Sequence, residues 1–179
     1  MTLAFIALGS NLSPEENLPR AVMALRDVGE VLDVSPVYAS PAIGWSGAVD
    51  ESAPPFLNAA VLVETGYHPL VLRRVLRGIE AEMGRVRSAD KYAPRTIDLD
   101  LVLFGHEVID MDGVTIPDPD IMKRVFVAQP LADLAPMYRH PLTGERLTEI
   151  AARLPRNGLR PYADWARTEG KMNVLSGIH

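Results

Sequence analysis

The sequence predicts an α+β domain built on an antiparallel sheet, because the predicted strands and helices follow one another in the order βαββαβ. The strands are indicated by short apolar or alternating runs, and the helices by apolar residues spaced three and four apart. This order is typical of ferredoxin-like folds, in which helices pack on an antiparallel sheet. With 179 residues, we expect one domain, with a core over about 1–154 and an extension, 155–179, to which the sequence assigns no role.

The first strand and helix are predicted from the N-terminal residues. Leu3–Leu8 is an apolar run that ends at Gly-Ser-Asn, which indicates a buried strand stopping in a turn. Ser13 is expected to cap the next helix, with Pro14 at its first position and Glu16 closing a capping box. Val31–Tyr38 predicts the second strand.

A long loop, residues 41–55, separates the second predicted strand from the third, which covers 56–65. Loops of this length in a compact domain are typical of lids and binding loops. Pro69 begins the second helix, and Gly84 is expected to cap its end. One apolar stripe runs along this helix, formed by Leu72, Leu76, Ile79 and Met83.

The fourth strand carries the residues with the clearest chemical pattern. Apolar and other side chains alternate along it, with Ile97, Leu99, Leu101 and Leu103 set against Asp98, Asp100 and Val102. A period of two predicts that the leucines face a core and that both carboxylates point to the opposite side, roughly 7 Å apart at the backbone. After this strand, the sequence predicts a hairpin from 107–109 and 114–116, a helix within 122–134 broken by Pro130, and a short helix over 148–154.

A basic cluster comes just before these two carboxylates. Residues 85–95 contain Arg85, Arg87, Lys91 and Arg95 against the single acid Asp90, in a chain whose net charge is −5. Paired carboxylates suit Mg²⁺ that carries substrate phosphates, and arginines bind phosphate oxygens in a two-pronged manner. The alternative is that the two aspartates lie on a solvated sheet face and the arginines on a surface loop.

Composition excludes several kinds of site. The chain has no cysteine, so a disulfide, a zinc-thiolate site or a cysteine nucleophile is impossible. The four histidines are scattered, and no glycine-rich phosphate motif is present. A pI near 5.4 argues against a broad nucleic-acid surface, and no apolar run reaches membrane-spanning length. We expect a cytoplasmic monomer whose ligands are small anions, with no nucleic-acid or membrane partner.

Four motifs occur in order along most of the chain: Ala7–Leu12 (ALGSNL), Phe56–Val61 (FLNAAV), Gly84–Arg87 (GRVR) and Pro94–Leu101 (PRTIDLDL). Together they closely resemble the 6-hydroxymethyl-7,8-dihydropterin pyrophosphokinase family of folate biosynthesis. The resemblance extends from residue 3 to about 150. It implies that diphosphate moves from ATP to the hydroxymethyl group of the dihydropterin, and that AMP is released.

The resemblance also assigns roles to individual residues. Asp98 and Asp100 would hold two Mg²⁺ ions, and Arg85 and Arg95 would contact the phosphates and assist transfer. The family's remaining ATP-site positions correspond to Glu80, Arg87, Tyr92, Thr115 and Arg124. Its pterin site corresponds to Asn58, to the ring-stacking pair Phe56 and Phe126, and to the segment that includes Ser40, Ile43 and Gly44.

One position departs from the family pattern, since Asp118 stands where many members have histidine. No strong general base is evident, and an aspartate or a bound water would suffice where positioning and electrostatics dominate. Two other functions stay open from the residues alone. Paired strand aspartates also occur in two-metal nucleotidyltransferases with a palm-like fold, and a ferredoxin-like domain can be a non-catalytic small-molecule sensor.

Overall fold

The computed structural model describes residues 1–44, 46–91 and 93–162. The strands are β1 (Thr2–Ser10), β2 (Glu30–Val34), β3 (Tyr38–Ser40), β4 (Phe56–Thr65), β5 (Asp98–Phe104), β6 (Ile109–Met111), β7 (Val114–Ile116) and β8 (Arg160–Pro161). The helices are α1 (Pro14–Leu25), α2 (Pro69–Glu82), α3 (Val125–Leu134) and α4 (Leu147–Arg153), with a 3-10 turn at Pro119–Met122.

The main sheet has the strand order β5-β1-β4-β3-β8, and β2 also pairs with β4. The pairings among β1 to β5 are antiparallel, as the βαββαβ order predicts. The second predicted strand is two strands, because Ser35 and Pro36 interrupt it. The Ser35 hydroxyl replaces a backbone partner by accepting from Ala60 N at 2.8 Å, and Pro36 has no N–H to donate.

Helices cover both faces of the sheet. On one face, α1 and α2 pack Leu18, Val22, Leu72 and Leu76 into a core with alternate residues of β1 and β4. On the other face, α3 and α4 form a second core around Phe5, Val102 and Leu131. Both faces therefore need apolar residues, which explains the nearly continuous apolar runs of the central strands.

The alternation in β5 is correct for both aspartates but not for every leucine. Leu99 and Leu101 face the α1 and α2 core, whereas Leu103 lies in the core of α3 and α4. A register shift opposite Phe5 and Ile6 inserts Val102 as an extra residue, so the side-chain alternation reverses beyond it. Asp98 and Asp100 precede the shift and keep the predicted orientation.

Several predicted ends differ in detail. Ser13 precedes α1, but its φ of 41° places it in the left-handed region and its side chain makes no cap hydrogen bond, so the capping box is wrong. Pro130 lies inside α3 instead of breaking it, since the buried residues around it hold the helix against the sheet. The hairpin β6–β7 turns at Asp112 and Gly113, both with positive φ.

Residues 159–162, part of the predicted extension, lie against the sheet. Arg160–Pro161 pairs with β3, and Tyr162 N donates to Val37 O at 3.0 Å. The rest of the extension, 163–179, is outside the described residues, and the single-domain assignment stays a prediction. Within the described ranges, no helix is both long enough and apolar enough to cross a membrane.

Candidate active site

A cavity of about 400 Å³ opens over the ends of three neighbouring strands on the α3 side of the sheet. Strand register places Gly9 of β1 between Asp98 of β5 and Asn58 of β4. Directly opposed residues share a face, so all three positions face the same side, and Asp98 and Asn58 are about 10 Å apart at the backbone. Gly9 and Ala7 are small, which leaves space between the carboxylates and the amide.

Asp98 is held by two arginines from the loop of residues 85–95, which we call the arginine loop. Its Oδ1 lies 3.2 Å from Arg85 Nε, and its Oδ2 lies 2.6 Å from Arg95 NH1. The Asp98 side chain is 14% exposed, so water screens these charges only partly. Two of the four cations in this loop thus lie beside one of the two strand carboxylates.

Asp100 has a different environment. It lies on the floor of the cavity, where protein surrounds it while its side chain stays open to solvent. Desolvation by the surrounding protein and the negative charge of Asp98 raise the pKa of Asp100 to about 6, and Arg77 partly opposes them. Keeping Asp100 ionised therefore costs free energy, which a bound cation would recover.

The other end of the cavity combines an amide with two aromatic rings. Asn58 is 5% exposed, and its Nδ2 donates to Ser40 Oγ at 2.9 Å and to Tyr38 O at 3.3 Å. Both hydrogens of the amide are used, so Oδ1 remains as an acceptor. Phe56 of β4 and Phe126 of α3 line the same cavity, half-buried, together with Ile43 and Arg124.

A second cavity of about 380 Å³ lies beside α2. Glu80 is buried there, and its carboxylate contacts Arg87 NH2 at 2.6 Å, Arg77 NH1 at 3.3 Å and the backbone N of Leu99 at 2.8 Å. Burial raises the pKa of Glu80 to about 7. Glu80 therefore ties the arginine loop to β5, next to the two aspartates.

The predicted site residues do not all meet in one place. Those that line the main cavity are Ser40, Ile43, Phe56, Asn58, Arg95, Asp98, Asp100, Arg124 and Phe126. Those that line the second cavity are Glu80, Arg85 and Arg87. Gly44 follows Ile43 and Thr115 lies on β7, and neither lines a cavity described here. Tyr92 is outside the described residues.

Sequence reasoning assigned no role to several polar residues that the structure places at these cavities, among them Asn11, Asp118 and Arg77. Asn11 lines the main cavity, and so does Asp118, which is half-buried and carries a pKa raised by desolvation. Arg77 lines the second cavity. The position of Arg77 three residues before Glu80 on a helix could have indicated that these two side chains contact each other. Asn11 belongs to the motif Ala7–Leu12, where it is a polar residue following a buried strand.

Asp98 and Asp100 are side chains of the main cavity that suit Mg²⁺. Among the described residues, no group of three or more histidine and acidic side chains could hold a metal ion. Mg²⁺ usually binds through one or two carboxylates together with substrate phosphates, so two aspartates in a solvent-accessible cavity fit it.

The sequence of the chain matches a protein-family model described as 7,8-dihydro-6-hydroxymethylpterin-pyrophosphokinase (HPPK) over residues 5–136. The chain belongs to this family. As an HPPK, it is an ATP-dependent pyrophosphokinase of folate synthesis that acts on hydroxymethyldihydropterin. Membership decides against the nucleotidyltransferase and the non-catalytic sensor.

Among similar proteins is the 2-amino-4-hydroxy-6-hydroxymethyldihydropteridine pyrophosphokinase of Pseudomonas aeruginosa, which is 39% identical over 158 residues, covering 87% of this chain and 93% of that protein. The Bacillus subtilis enzyme of the same name is 33% identical over 155 residues, covering 85% and 89%. The folic acid synthesis protein fol1 of Schizosaccharomyces pombe is 35% identical over 183 residues, and this chain spans 24% of its length.

Solved structures support the fold. A crystal structure of Plasmodium falciparum HPPK-DHPS A437G with STZ-DHP superposes with a TM-score of 0.67 at 15% identity, covering 85% of this chain and 45% of that chain. This chain therefore spans less than half of that solved chain. The comparison confirms the predicted antiparallel α+β architecture of HPPK.

Proposed function

We propose that the diphosphate transfer takes place in the main cavity, with the pterin held at the Asn58 end and the triphosphate at the Asp98 end. The observation that carries this proposal is the strand register that sets Asp98, Gly9 and Asn58 side by side. The backbones of Asp98 and Asn58 are about 10 Å apart. Across this distance, the hydroxymethyl group of the pterin and the phosphate chain of ATP would reach each other.

At the pterin end, Phe56 and Phe126 would hold the flat ring between them, which suits the π faces of a heterocycle. Asn58 would accept a hydrogen bond from the pterin through Oδ1, because its two amide hydrogens already bind Ser40 and Tyr38. Ser40, Ile43 and Gly44 would face the polar edge of the ring. Unpaired polar groups would then penalise a heterocycle with a different edge.

At the phosphate end, Asp98 and Asp100 would hold the metal, for which we propose two Mg²⁺ ions. Bound with ATP, Mg²⁺ would neutralise charge on the transferred and leaving oxygens. Arg85 and Arg95 now bind Asp98, and the same guanidinium groups would turn to the phosphate oxygens. The nucleotide site would extend to Glu80, Arg87, Tyr92, Thr115 and Arg124.

In the reaction, the hydroxymethyl oxygen would form a bond to the β-phosphorus, and the bond from that phosphorus to the oxygen bridging to the α-phosphate would break. AMP would leave with that oxygen, and the hydroxyl proton would pass to an aspartate or to water. The loops 45–55 and 85–95 would close over the substrates, because water competes for ATP.

We also propose that the chain acts as a monomer in the cytoplasm, as a single domain over 1–179, with no nucleic-acid or membrane partner. The absence of cysteine and the net charge of −5 support this reading, since neither disulfides nor a broad basic surface is available.

The test is to incubate the full chain with Mg²⁺ and ATP, with and without 6-hydroxymethyl-7,8-dihydropterin, and to quantify nucleotides by chromatography. We expect AMP and pterin diphosphate in equal amounts only when the pterin is present. A dihydropterin with a methyl group in place of hydroxymethyl is the matched control and should give no AMP. Formation of ADP or of free pyrophosphate would contradict the proposed transfer.

A further inference from the structure

A buried asparagine at the end of β1 contacts both loops that border the main cavity. Asn11 is 4% exposed, and its Oδ1 accepts a hydrogen bond from the backbone N of Arg95 at 2.7 Å. Its Nδ2 donates to the carbonyl of Pro54 at 3.5 Å. One carboxamide thus touches the last residue of the arginine loop and a residue near the end of loop 41–55.

The backbone around Asn11 completes the attachment. The N–H groups of Asn11 and Leu12 both donate to the carbonyl of Arg95, at 3.1 and 3.3 Å. Ser10 Oγ donates to the carbonyl of Thr96 at 2.6 Å. The amide orientation of Asn11 follows from its partners, because an N–H requires the oxygen and a carbonyl requires the NH₂ group. The backbone of Arg95 is therefore fixed through both its N–H and its carbonyl.

The backbone and the side chain of Arg95 have different hydrogen-bond partners. The guanidinium binds Asp98 Oδ2 at 2.6 Å and the carbonyl of Lys91 at 2.9 Å, and neither of these groups holds the Arg95 backbone. With residue 95 fixed, closure of the arginine loop is confined to the residues before it. A shift of Pro54 would reach Arg95 through the carboxamide that binds both.

We propose that Asn11 is a positioning residue that couples loop 41–55 to Arg95, so that a displacement of Pro54 changes the position of the arginine. The inference rests on the proposed function of Arg95 in phosphate transfer. Asn11 acts through Arg95 and contacts no reacting atom.

A purely structural role for Asn11 is the alternative, and the chain offers a matched control. Asn17 is 5% exposed, and its side chain also makes two hydrogen bonds, donating to the carbonyl of Leu12 at 2.7 Å and accepting from Arg20 at 3.3 Å. It braces the same turn but touches neither Arg95 nor Pro54. Asn17→Ala therefore tests the cost of losing a buried asparagine here without releasing the loops.

The experiment measures turnover and amide hydrogen exchange in the wild type, Asn11→Ala, Asn17→Ala, Arg95→Ala and the double variant Asn11→Ala/Arg95→Ala. We expect Asn11→Ala to lower the turnover number by about 10- to 100-fold, because small displacements of a transfer group have effects of that size. Asn17→Ala should stay within about twofold of the wild type, and the double variant within about twofold of Arg95→Ala, because a positioning effect disappears with its target.

Hydrogen exchange gives a readout that does not depend on activity. In the wild type, the Arg95 amide should exchange at least about tenfold more slowly than in an unstructured peptide. In Asn11→Ala, exchange at Arg95 and at Ser52–Ala53 should both accelerate, and in Asn17→Ala neither should change. If the losses of turnover caused by the two substitutions multiply in the double variant, the coupling is wrong. A wild-type Arg95 amide without protection would also overturn the coupling, even if Asn11→Ala did not fold. A wild type that forms no AMP would reject the proposed function instead, and the exchange data would still test the coupling.

Discussion

The guanidinium of Arg95 and the carboxylate of Asp98 are bound to each other at 2.6 Å, although the arginine is proposed to bind phosphate oxygens and the aspartate a metal ion. In the conformation described here, Arg95 thus compensates the charge of an aspartate proposed to bind metal. Binding of nucleotide and metal would replace this ion pair by two separate interactions, one for each partner. The ion pair with Arg95 compensates part of the cost of burying this carboxylate until a cation takes the place of the arginine.

The first prediction concerns Arg95. Arg95→Ala should lower the turnover number by about 100- to 1,000-fold, because it removes charge stabilisation of the transferred group, while the dissociation constant of the pterin changes little. Steady-state kinetics and fluorescence titration with the pterin measure the two effects. Arg95→Lys is the control, since it keeps the charge but loses the planar fork, and it should recover only part of the rate. An equal loss of pterin affinity would identify Arg95 as a ground-state anchor.

The second prediction separates catalysis from stability at Asp100. The pKa of Asp100 is raised to about 6 in the folded protein, so its folded carboxylate takes up a proton more readily than its unfolded one. This group therefore destabilises the fold progressively as pH rises from about 4 to above 6. Asp100→Asn should abolish turnover yet melt at the same or a higher temperature than the wild type at pH 8, with the difference shrinking by pH 4.

Thermal unfolding of both proteins across that pH range, followed by circular dichroism, checks this second prediction. The control is Asp27→Asn just after α1, an exposed aspartate that lines neither cavity. It should leave turnover unchanged. A lower melting temperature for Asp100→Asn at pH 8 would mean that Asp100 supports the fold.

Parts of this site could be read from the sequence because they depend on local patterns. The period of two in β5 was sufficient to orient Asp98 and Asp100, whereas the composition of residues 85–95 left open whether its arginines reach these carboxylates. Partners that are distant in the chain could not be found in this way. The contact of Asn11 with Arg95 joins residues 84 positions apart, and it depends on the pairing of β1 with β5.

The same reason explains the errors in the fold. The reversal at Leu103 results from a bulge, which is a property of the strand pair and leaves no mark on the alternation within one strand. The break at Ser35 depends on a hydroxyl that reaches Ala60 of another strand. The left-handed backbone of Ser13 and its missing cap hydrogen bond show that a local cap motif need not form even where the helix begins as predicted.

The third prediction concerns the pterin end. Asn58→Ala removes the proposed acceptor and should weaken pterin binding by about 10- to 100-fold, as expected for losing a buried hydrogen bond. Ser40→Ala leaves the Asn58 amide with one partner fewer and should weaken binding by about 3- to 10-fold. ATP affinity in the absence of pterin should be unchanged in both. Isothermal titration with each substrate separately checks this, and a loss of ATP affinity would move Asn58 to the nucleotide side.

The fourth prediction uses a histidine far from the cavity. His140 is 3% exposed, and its Nδ1 accepts from the N–H groups of Leu142 and Thr143, both at 3.3 Å. Burial lowers the pKa of His140, so the unfolded chain takes up this proton at a higher pH than the folded one. Its contribution to stability is complete above about pH 6.5 and is lost as pH falls below that value.

His140→Asn keeps an acceptor but cannot titrate, so the melting temperature of the wild type relative to this variant should fall between pH 7 and pH 5. The carboxylates titrate in both proteins and cancel in the difference. His68→Asn, an exposed histidine at the start of α2, is the control, and a constant difference for His140→Asn across that range would contradict the assignment.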